Sequence, residues 1–174
     1  PAPDHNLAIG SGPHGHQTGQ MLSAIESVLV ADRPDWVLVY GDTNSTLAAT
    51  VAAVKLGIPT AHLEAGLRSF NRAMPEEINR VLTDHALDLP LVPTATAWAN
   101  LGTEGLQERS VMVGDVMADF CLGLAAGDPG PAADAPYVVA TIHRPSNTDD
   151  PEQLGRIVTA LAGVPGRVLL LAHP

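Results

Sequence analysis

A chain of 174 residues with 45% hydrophobic side chains is long enough for one ordinary domain, or for one domain and part of another, and too apolar for disorder. Nine basic against 19 acidic residues give a formal net charge of -10, which excludes phosphate backbones, and so nucleic acid, as partners. Helix N-termini and a few placed arginines can still hold a nucleotide-sized anion.

Apolar runs are broken by charge well before the ~18 residues that a membrane span needs, so no membrane association is expected. No signal-peptide pattern is visible, and the single cysteine, Cys121, fits a reducing, cytoplasmic setting. Cys121 lies in a helix-like apolar stretch, where buried packing is the expectation. A first residue that is Pro1, not Met, points to a native N-terminus further upstream.

Pro1–Gly19, rich in Gly, Pro and His, reads as a loop, and Gln20–Ala31 as a helix spaced by Met21, Leu22, Ile25, Val28 and Leu29. Trp36–Tyr40 is a continuous apolar run, the pattern of a strand buried on both faces, ending in Gly41-Asp42. Thr43–Leu56 is an Ala-rich helix closed by Gly57; Ile58–Leu63 is the next strand, ending in Glu64-Ala65-Gly66. After the polar stretch Leu67–Met74, Pro75-Glu76-Glu77 opens a helix to about Leu87. Leu89–Val92 is a short strand, Ala95–Glu104 a helix, Ser110–Val113 a strand ending in Gly114-Asp115, and Val116–Ala126 a helix. Residues 127–136 form a Gly/Pro/Ala/Asp linker without periodicity. Then come a strand at Tyr137–Ile142, a helix at Pro151–Ala162 and a strand at Arg167–Ala172.

Strands alternating with helices imply βαβ units and a parallel sheet with flanking helices, an α/β fold. The division predicted is a partial N-terminal domain over 1–126, the linker, and the start of a second such domain over 137–174, both halves truncated.

Ligands of open α/β sheets bind at the carboxyl ends of the strands. Asp42, Glu64, Asp115, His143-Arg144 and His173 fall there. Each has a local alternative: Asp42 in particular could cap the following helix, worth about 1 kcal/mol. Coincidence explains the whole set poorly. Glu76 and Glu77 suit a helix N-terminus without any function, and Arg80, four residues after Glu76, can form an ordinary surface pair with it.

Gly10-Ser11-Gly12-Pro13-His14-Gly15 fits G-x-G-x-x-G literally, but the strand before it is weak, so a mobile loop feeding the helix at Gln20 is the better reading. His14 and His16 flank a glycine without convincing further ligands, so no metal site is expected.

Tyr40-Gly41-Asp42-Thr43-Asn44-Ser45-Thr46, His62-Leu63-Glu64-Ala65-Gly66-Leu67-Arg68, Met74-Pro75-Glu76-Glu77-Ile78-Asn79-Arg80, Gly114-Asp115-Val116-Met117 and His143-Arg144 together resemble the successive motifs of the non-hydrolysing UDP-N-acetylglucosamine 2-epimerase family, in order and spacing. The resemblance implies a glycosyltransferase-B-like architecture of two Rossmann-like domains. It also implies interconversion of UDP-N-acetylglucosamine and UDP-N-acetylmannosamine by elimination and re-addition of UDP, without metal or other cofactor. Matched motif to motif, Asp42, Glu64, Glu76 and His143 are the catalytic positions, and Arg80, Arg144 and His173 the substrate-binding ones. A UDP-sugar is the implied ligand and a homodimer the implied state of the full-length protein.

Two departures stand out. Ser146 replaces the glutamate usual two residues after the Arg of the His-Arg motif, and the family's N-terminal Gly-Thr-Arg-Pro-Glu loop and most of its second domain have no counterpart. The fragment alone is therefore expected to bind UDP-sugars poorly and to be inactive. Three rivals share these motifs or this architecture: a hydrolysing or decorated-UDP-sugar 2-epimerase, a non-catalytic nucleotide-sugar-binding module, and a glycosyltransferase.

Overall fold

Short apolar runs and longer periodic stretches form the alternating strands and helices that their spacing demands. A computed structural model describes residues 2–127, 136–142 and 145–171. In order they form α1 (His14–Asp32), β1 (Val37–Tyr40), α2 (Asn44–Lys55), β2 (Thr60–Leu63), α3 (Pro75–Ala86), β3 (Leu89–Val92), α4 (Ala95–Thr103), a 3-10 turn (Gln107–Arg109), β4 (Val111–Met112), α5 (Val116–Ala125), β5 (Tyr137–Thr141), α6 (Pro145–Thr148), α7 (Pro151–Ala162) and β6 (Arg167–Leu171). By contacts the chain divides into two units, Pro1–Gly123 and Leu124–Pro174. No helix of the described residues is long and apolar enough to cross a membrane.

The first unit holds a parallel sheet in the order β1-β2-β3-β4. Tyr40 is in register with Leu63, so Asp42 and Glu64 leave the same edge of two neighbouring strands. Leu29, Ala52 and Ala53 pack with Ile25, Val37 and Ile58 to seal α1 and α2 to β1. Ala65, Val92, Ala97, Leu101 and Leu106 form a second cluster with Leu67 and Trp98, binding α4 to β3. Small side chains let backbones approach closely. A Cβ on Gly66 would lie 2.5 Å from the Ala97 carbonyl oxygen, and its φ of +80° lies in the left-handed region that favours glycine. In the second unit β5 and β6 pair in parallel, and the Asp150 carboxylate caps the Glu152 amide at the start of α7.

Four expectations change. First, α1 begins at His14, so residues 14–19 are helical and not loop. The Gln17 amide opens the ladder onto the Pro13 carbonyl, and the Gln17 side chain grips the Gly10 carbonyl at 2.9 Å and Asn44 at 2.7 Å. These contacts offset the roughly 1 kcal/mol that each of Gly15 and Gly19 costs a helix. Second, β4 is only two residues long: Ser110 instead ends the 3-10 turn, its hydroxyl bonded to the Leu106 carbonyl. Third, Cys121 is exposed, on a helix that has no buried residue. Its neighbours Phe120, Leu122 and Leu124 are exposed too, so apolar composition alone did not bring α5 inside. Fourth, β1 is not buried on both faces: Val39 is buried, but Leu38 is 63% and Tyr40 47% exposed. The reason is that β1 is the outer strand of the sheet and has β2 alone beside it among the described residues.

Candidate active site

Parallel strands deliver their C-terminal loops to one edge, and α3 packs its first turns against that edge. Asp42 follows β1, and Thr43, not Asp42, stands at the position before the helix, where no side chain caps the first amides. The Asp42 carboxylate instead accepts a hydrogen bond from Arg80 Nη2 at 2.6 Å. The same Nη2 lies 3.8 Å from Glu64 Oε2, and Arg80 Nη1 donates to the Glu64 carbonyl. Arg80 is therefore shared between Asp42 and Glu64, and the surface pair with Glu76 is not formed. Its side chain is 9% exposed, against 34% for Asp42 and 18% for Glu64, so the two acids can meet a ligand while their counter-ion cannot readily leave.

Glu64 has φ +74°, a conformation that costs a non-glycine residue about 1–2 kcal/mol. Its surroundings impose this backbone. Tyr40 donates its hydroxyl to Glu64 Oε1 at 3.0 Å, Arg80 holds the carbonyl, and the next amide, Ala65, bonds to Leu91. The Glu64 hydrogen bond, with slight desolvation and the charges of Glu64 and Asp115, raises the Tyr40 phenol above its ordinary pKa. Strain held by several contacts beside paired acids is typical of functional sites.

The two glutamates of Pro75-Glu76-Glu77 part company. Glu76 is exposed and makes no hydrogen bond or ion pair among the described residues, leaving its carboxylate available. Glu77 is buried and accepts from the Ser69 amide at 2.7 Å, the Ser69 hydroxyl at 2.9 Å and the Phe70 amide at 3.1 Å. Burial alone would raise the Glu77 pKa; the Ser69 and Phe70 hydrogen bonds and the Arg68 charge outweigh it and hold the carboxyl below its ordinary value. Glu77 thus shapes the Leu67–Met74 loop.

Asp115, the third strand-end acid, is a helix cap: it accepts from the Met117 amide at 2.8 Å. His143, Arg144 and His173 lie outside the described residues.

Several residues at this edge escaped sequence reasoning. Asn79 donates to the Asp42 carbonyl at 3.0 Å and to Asn44 Oδ1 at 3.1 Å; Asn44 in turn donates to Gln17 and to His14 Nδ1. Asn44, Asn79 and the first turns of α1 line an open cavity of about 540 Å³ next to Asp42, with Arg72 on its rim. Beneath the acids His62, Asp84, Arg68 and Glu104 form a chain of charges. Asp84 accepts from His62 at 2.6 Å, Gly66 at 2.9 Å and Arg68 at 2.8 Å; Arg68 also makes a forked pair with Glu104 at 2.8 and 2.7 Å. Burial would push the Asp84 carboxyl up, but these donors and charges bring it below its ordinary value. Asn44, His62, Arg68 and Asn79 stood inside the quoted motifs without a role, and the spacing Arg80–Asp84 could have flagged a shared helix face. Among the described residues no group of three or more His, Cys, Asp and Glu side chains is placed to hold a metal ion.

A parallel sheet with flanking helices and acids at its carboxyl edge puts the chain in the Rossmann-like, glycosyltransferase-B-like class of α/β proteins. More narrowly, the chain belongs to the UDP-N-acetylglucosamine 2-epimerase family, whose profile matches residues 1–174. It is 48% identical over 183 residues to a UDP-N-acetylglucosamine 2-epimerase homolog of Methanococcus maripaludis, covering 100% of this chain and 51% of that protein. It is 49% identical to a UDP-2,3-diacetamido-2,3-dideoxy-D-glucuronate 2-epimerase of Pseudomonas aeruginosa, covering 100% of this chain and 52% of the relative. Its fold is similar to the crystal structure of Methanocaldococcus jannaschii UDP-GlcNAc 2-epimerase in complex with UDP-GlcNAc and UDP, with a TM-score of 0.88 and 42% identity, over 100% of this chain and 52% of that one. The chain spans about half the length of the curated relatives it matches.

Proposed function

We propose that the full-length protein carrying this chain is a non-hydrolysing 2-epimerase that interconverts UDP-N-acetylglucosamine and UDP-N-acetylmannosamine. The observation that carries the reading is one buried guanidinium, Arg80, shared by Asp42 and Glu64, with the open carboxylate of Glu76 one turn earlier on the same helix. C2–H of the sugar is not next to a carbonyl, so no enolate route exists. A carboxylate takes the C2 proton, the C1–O bond to UDP breaks with its electrons leaving on UDP, and a C1=C2 double bond forms. UDP then re-adds at C1 while a second acid delivers a proton to the opposite face of C2. Two or three carboxylates around one cation suit this chemistry, since each can change protonation while the guanidinium keeps a counter-ion.

In this reading Asp42, Glu64, Glu76 and His143 exchange the protons. Arg80, Arg144 and His173 are the substrate-binding positions of the motif match, and Arg80 also holds the first two acids in place. The whole protein is a cytoplasmic homodimer of two Rossmann-like domains joined through residues 127–136. The Pseudomonas relative, named for a diacetamido-glucuronate, supports a second substrate: the same C2 inversion on a more decorated UDP-sugar.

The test incubates the full-length protein with each UDP-sugar in deuterated water. Deuterium at C2 of a product that retains UDP is expected; free sugar as the sole product would replace the reading by a hydrolysing epimerase, and an unlabelled C2 would overturn both. Asp42→Asn should lower exchange by at least roughly 10²-fold while leaving the protein folded, as expected for loss of a general acid or base.

A further inference from the structure

His62 is fully buried and touches no acid proposed above, yet both its ring nitrogens are engaged at short distance. Nε2 lies 2.7 Å from the Gly41 carbonyl oxygen and Nδ1 2.6 Å from Asp84 Oδ1. A carbonyl can only accept, so Nε2 carries hydrogen. Nδ1 shares the hydrogen of its 2.6 Å contact with Asp84 Oδ1, which fixes the plane of the ring. The Gly41 carbonyl belongs to the peptide that leads into Asp42, while Asp84 Oδ2 holds the Gly66 amide in the turn two residues after Glu64. One His–Asp pair therefore fastens the backbone on both sides of the strand-end acids.

Helix α3 ties this layer to the one above. Arg80 and Asp84 are four residues apart and share a face. Arg80 reaches the side chains of Asp42 and Glu64, and Asp84 reaches His62 and the Gly66 turn. Arg68 lies between Asp84 and Glu104 and pairs with both, so Asp84 meets a full cation on one side and the His62 ring on the other. A buried ion pair is a poor stabiliser by itself, because apolar residues of similar volume often do as well or better. Its specific product here is orientation.

We propose that His62 is a positioning residue: its Nε2–H, aimed by Asp84, fixes the Gly41–Asp42 peptide so that Asp42 stays beside Arg80 and Glu64 while protons move at C2. The inference rests on the epimerase reading above. If Asp42 takes up a proton, its attraction to Arg80 weakens, and the hydrogen bond beneath Gly41 is what keeps its backbone in place. A displacement near 1 Å at a reacting group can cost roughly 10²-fold in rate.

Two substitutions in the full-length protein separate the contacts, because a glutamine amide reaches to where Nε2 sits and an asparagine amide only to where Nδ1 sits. His62→Gln, which retains a donor for Gly41, should keep kcat for C2 exchange within about fivefold of the parent. His62→Asn, which retains only the Asp84 contact, should lose roughly 10²-fold in kcat with KM changed less than about threefold. Equal activity of the two variants, or losses that merely follow their losses of thermal stability, would overturn the proposal. Should the parent exchange no C2 deuterium with any UDP-sugar, the epimerase reading fails. Positioning is then read from amide hydrogen exchange at residues 41–43, which His62→Asn but not His62→Gln should accelerate; equal acceleration counts against it. Neither variant need fold for the last check. Nitrogen-15 spectra of the unsubstituted protein should show a protected hydrogen on Nε2 of His62, and a bare Nε2 would sink the idea.

Discussion

The inner strand β2 of the first unit and the two strands of the second are treated differently. The outer strands β1 and β4, with Leu38 and Met112 half exposed or more, side with the second unit. In the first unit, β2 has Thr60, Ala61 and His62 buried, with β1 and β3 on either side. In the second, β5 and β6 read Tyr-Val-Val-Ala-Thr and Arg-Val-Leu-Leu-Leu, yet Val139, Leu170 and Leu171 are about half exposed or more. Burial belongs to the number of neighbours that a strand acquires and not to its composition. The inside of the first unit is also where charge is found: Arg80, Glu77 and Asp84 are buried and each is paired or fully hydrogen-bonded. A site that must hold acids in fixed positions can be built there because the surrounding backbone is already immobilised.

The sharpest way to break this contrast is to cut a leucine from each unit. Leu101→Ala, in the fully buried cluster beside Trp98, should cost about 3 kcal/mol, read as a lower urea midpoint in Trp98 fluorescence. Leu170→Ala, at 48% exposure, should cost less than about 1 kcal/mol by hydrogen exchange in β6. Comparable losses would mean that the second unit is packed more tightly than its exposure indicates.

A middle-sized effect tests the buried charges. Glu77→Gln should destabilise the first unit by about 2 kcal/mol at pH 7, since three donors lose a charged acceptor. Glu77 has a lowered folded pKa, so its contribution is present above the unfolded value of about 4.3 and fades as pH falls through the folded one. The gap in urea midpoint between parent and variant should narrow below about pH 4; a gap independent of pH would assign Glu77 to packing alone. Asp84, lowered for similar reasons, adds to the acid sensitivity of the same unit.

The smallest effect should be the same in both units. Thr94→Ala removes the cap on the Ala97 amide of α4, and Asp150→Ala the cap on the Glu152 amide of α7. Each should cost about 1 kcal/mol, measured as faster exchange of that amide. A much larger loss at Thr94 would show that even a local device draws strength from the deeper core around it.

What could be read directly was whatever depends on near neighbours in the chain. The strand at Leu89–Val92, the helix at Pro151–Ala162 and the start of α3 at Pro75 stand where apolar period and proline placed them. So does the exit of Asp42 and Glu64 from the strand ends, because Asp42 follows its apolar run after one glycine and Glu64 follows its own at once. The start of α1 was hidden, since its glycines argue locally against helix, and the bonds of Gln17 to Gly10 just before it and to Asn44 across the fold overrule them.

Tertiary structure alone decided the partners. Nothing near Arg80 in sequence says that it bonds to Asp42, 38 residues away, in preference to Glu76 one turn before it. Nor does Pro-Glu-Glu say which glutamate turns inward; the docking of α3 sends Glu77 to the loop at Ser69 and leaves Glu76 open. Composition and periodicity determined the α/β alternation and put acids at the strand ends, because those signals reach only a few residues along the chain. Which acid is paired, which is buried and what lies beneath them follow from sheet register and helix docking, which bring together residues tens of positions apart.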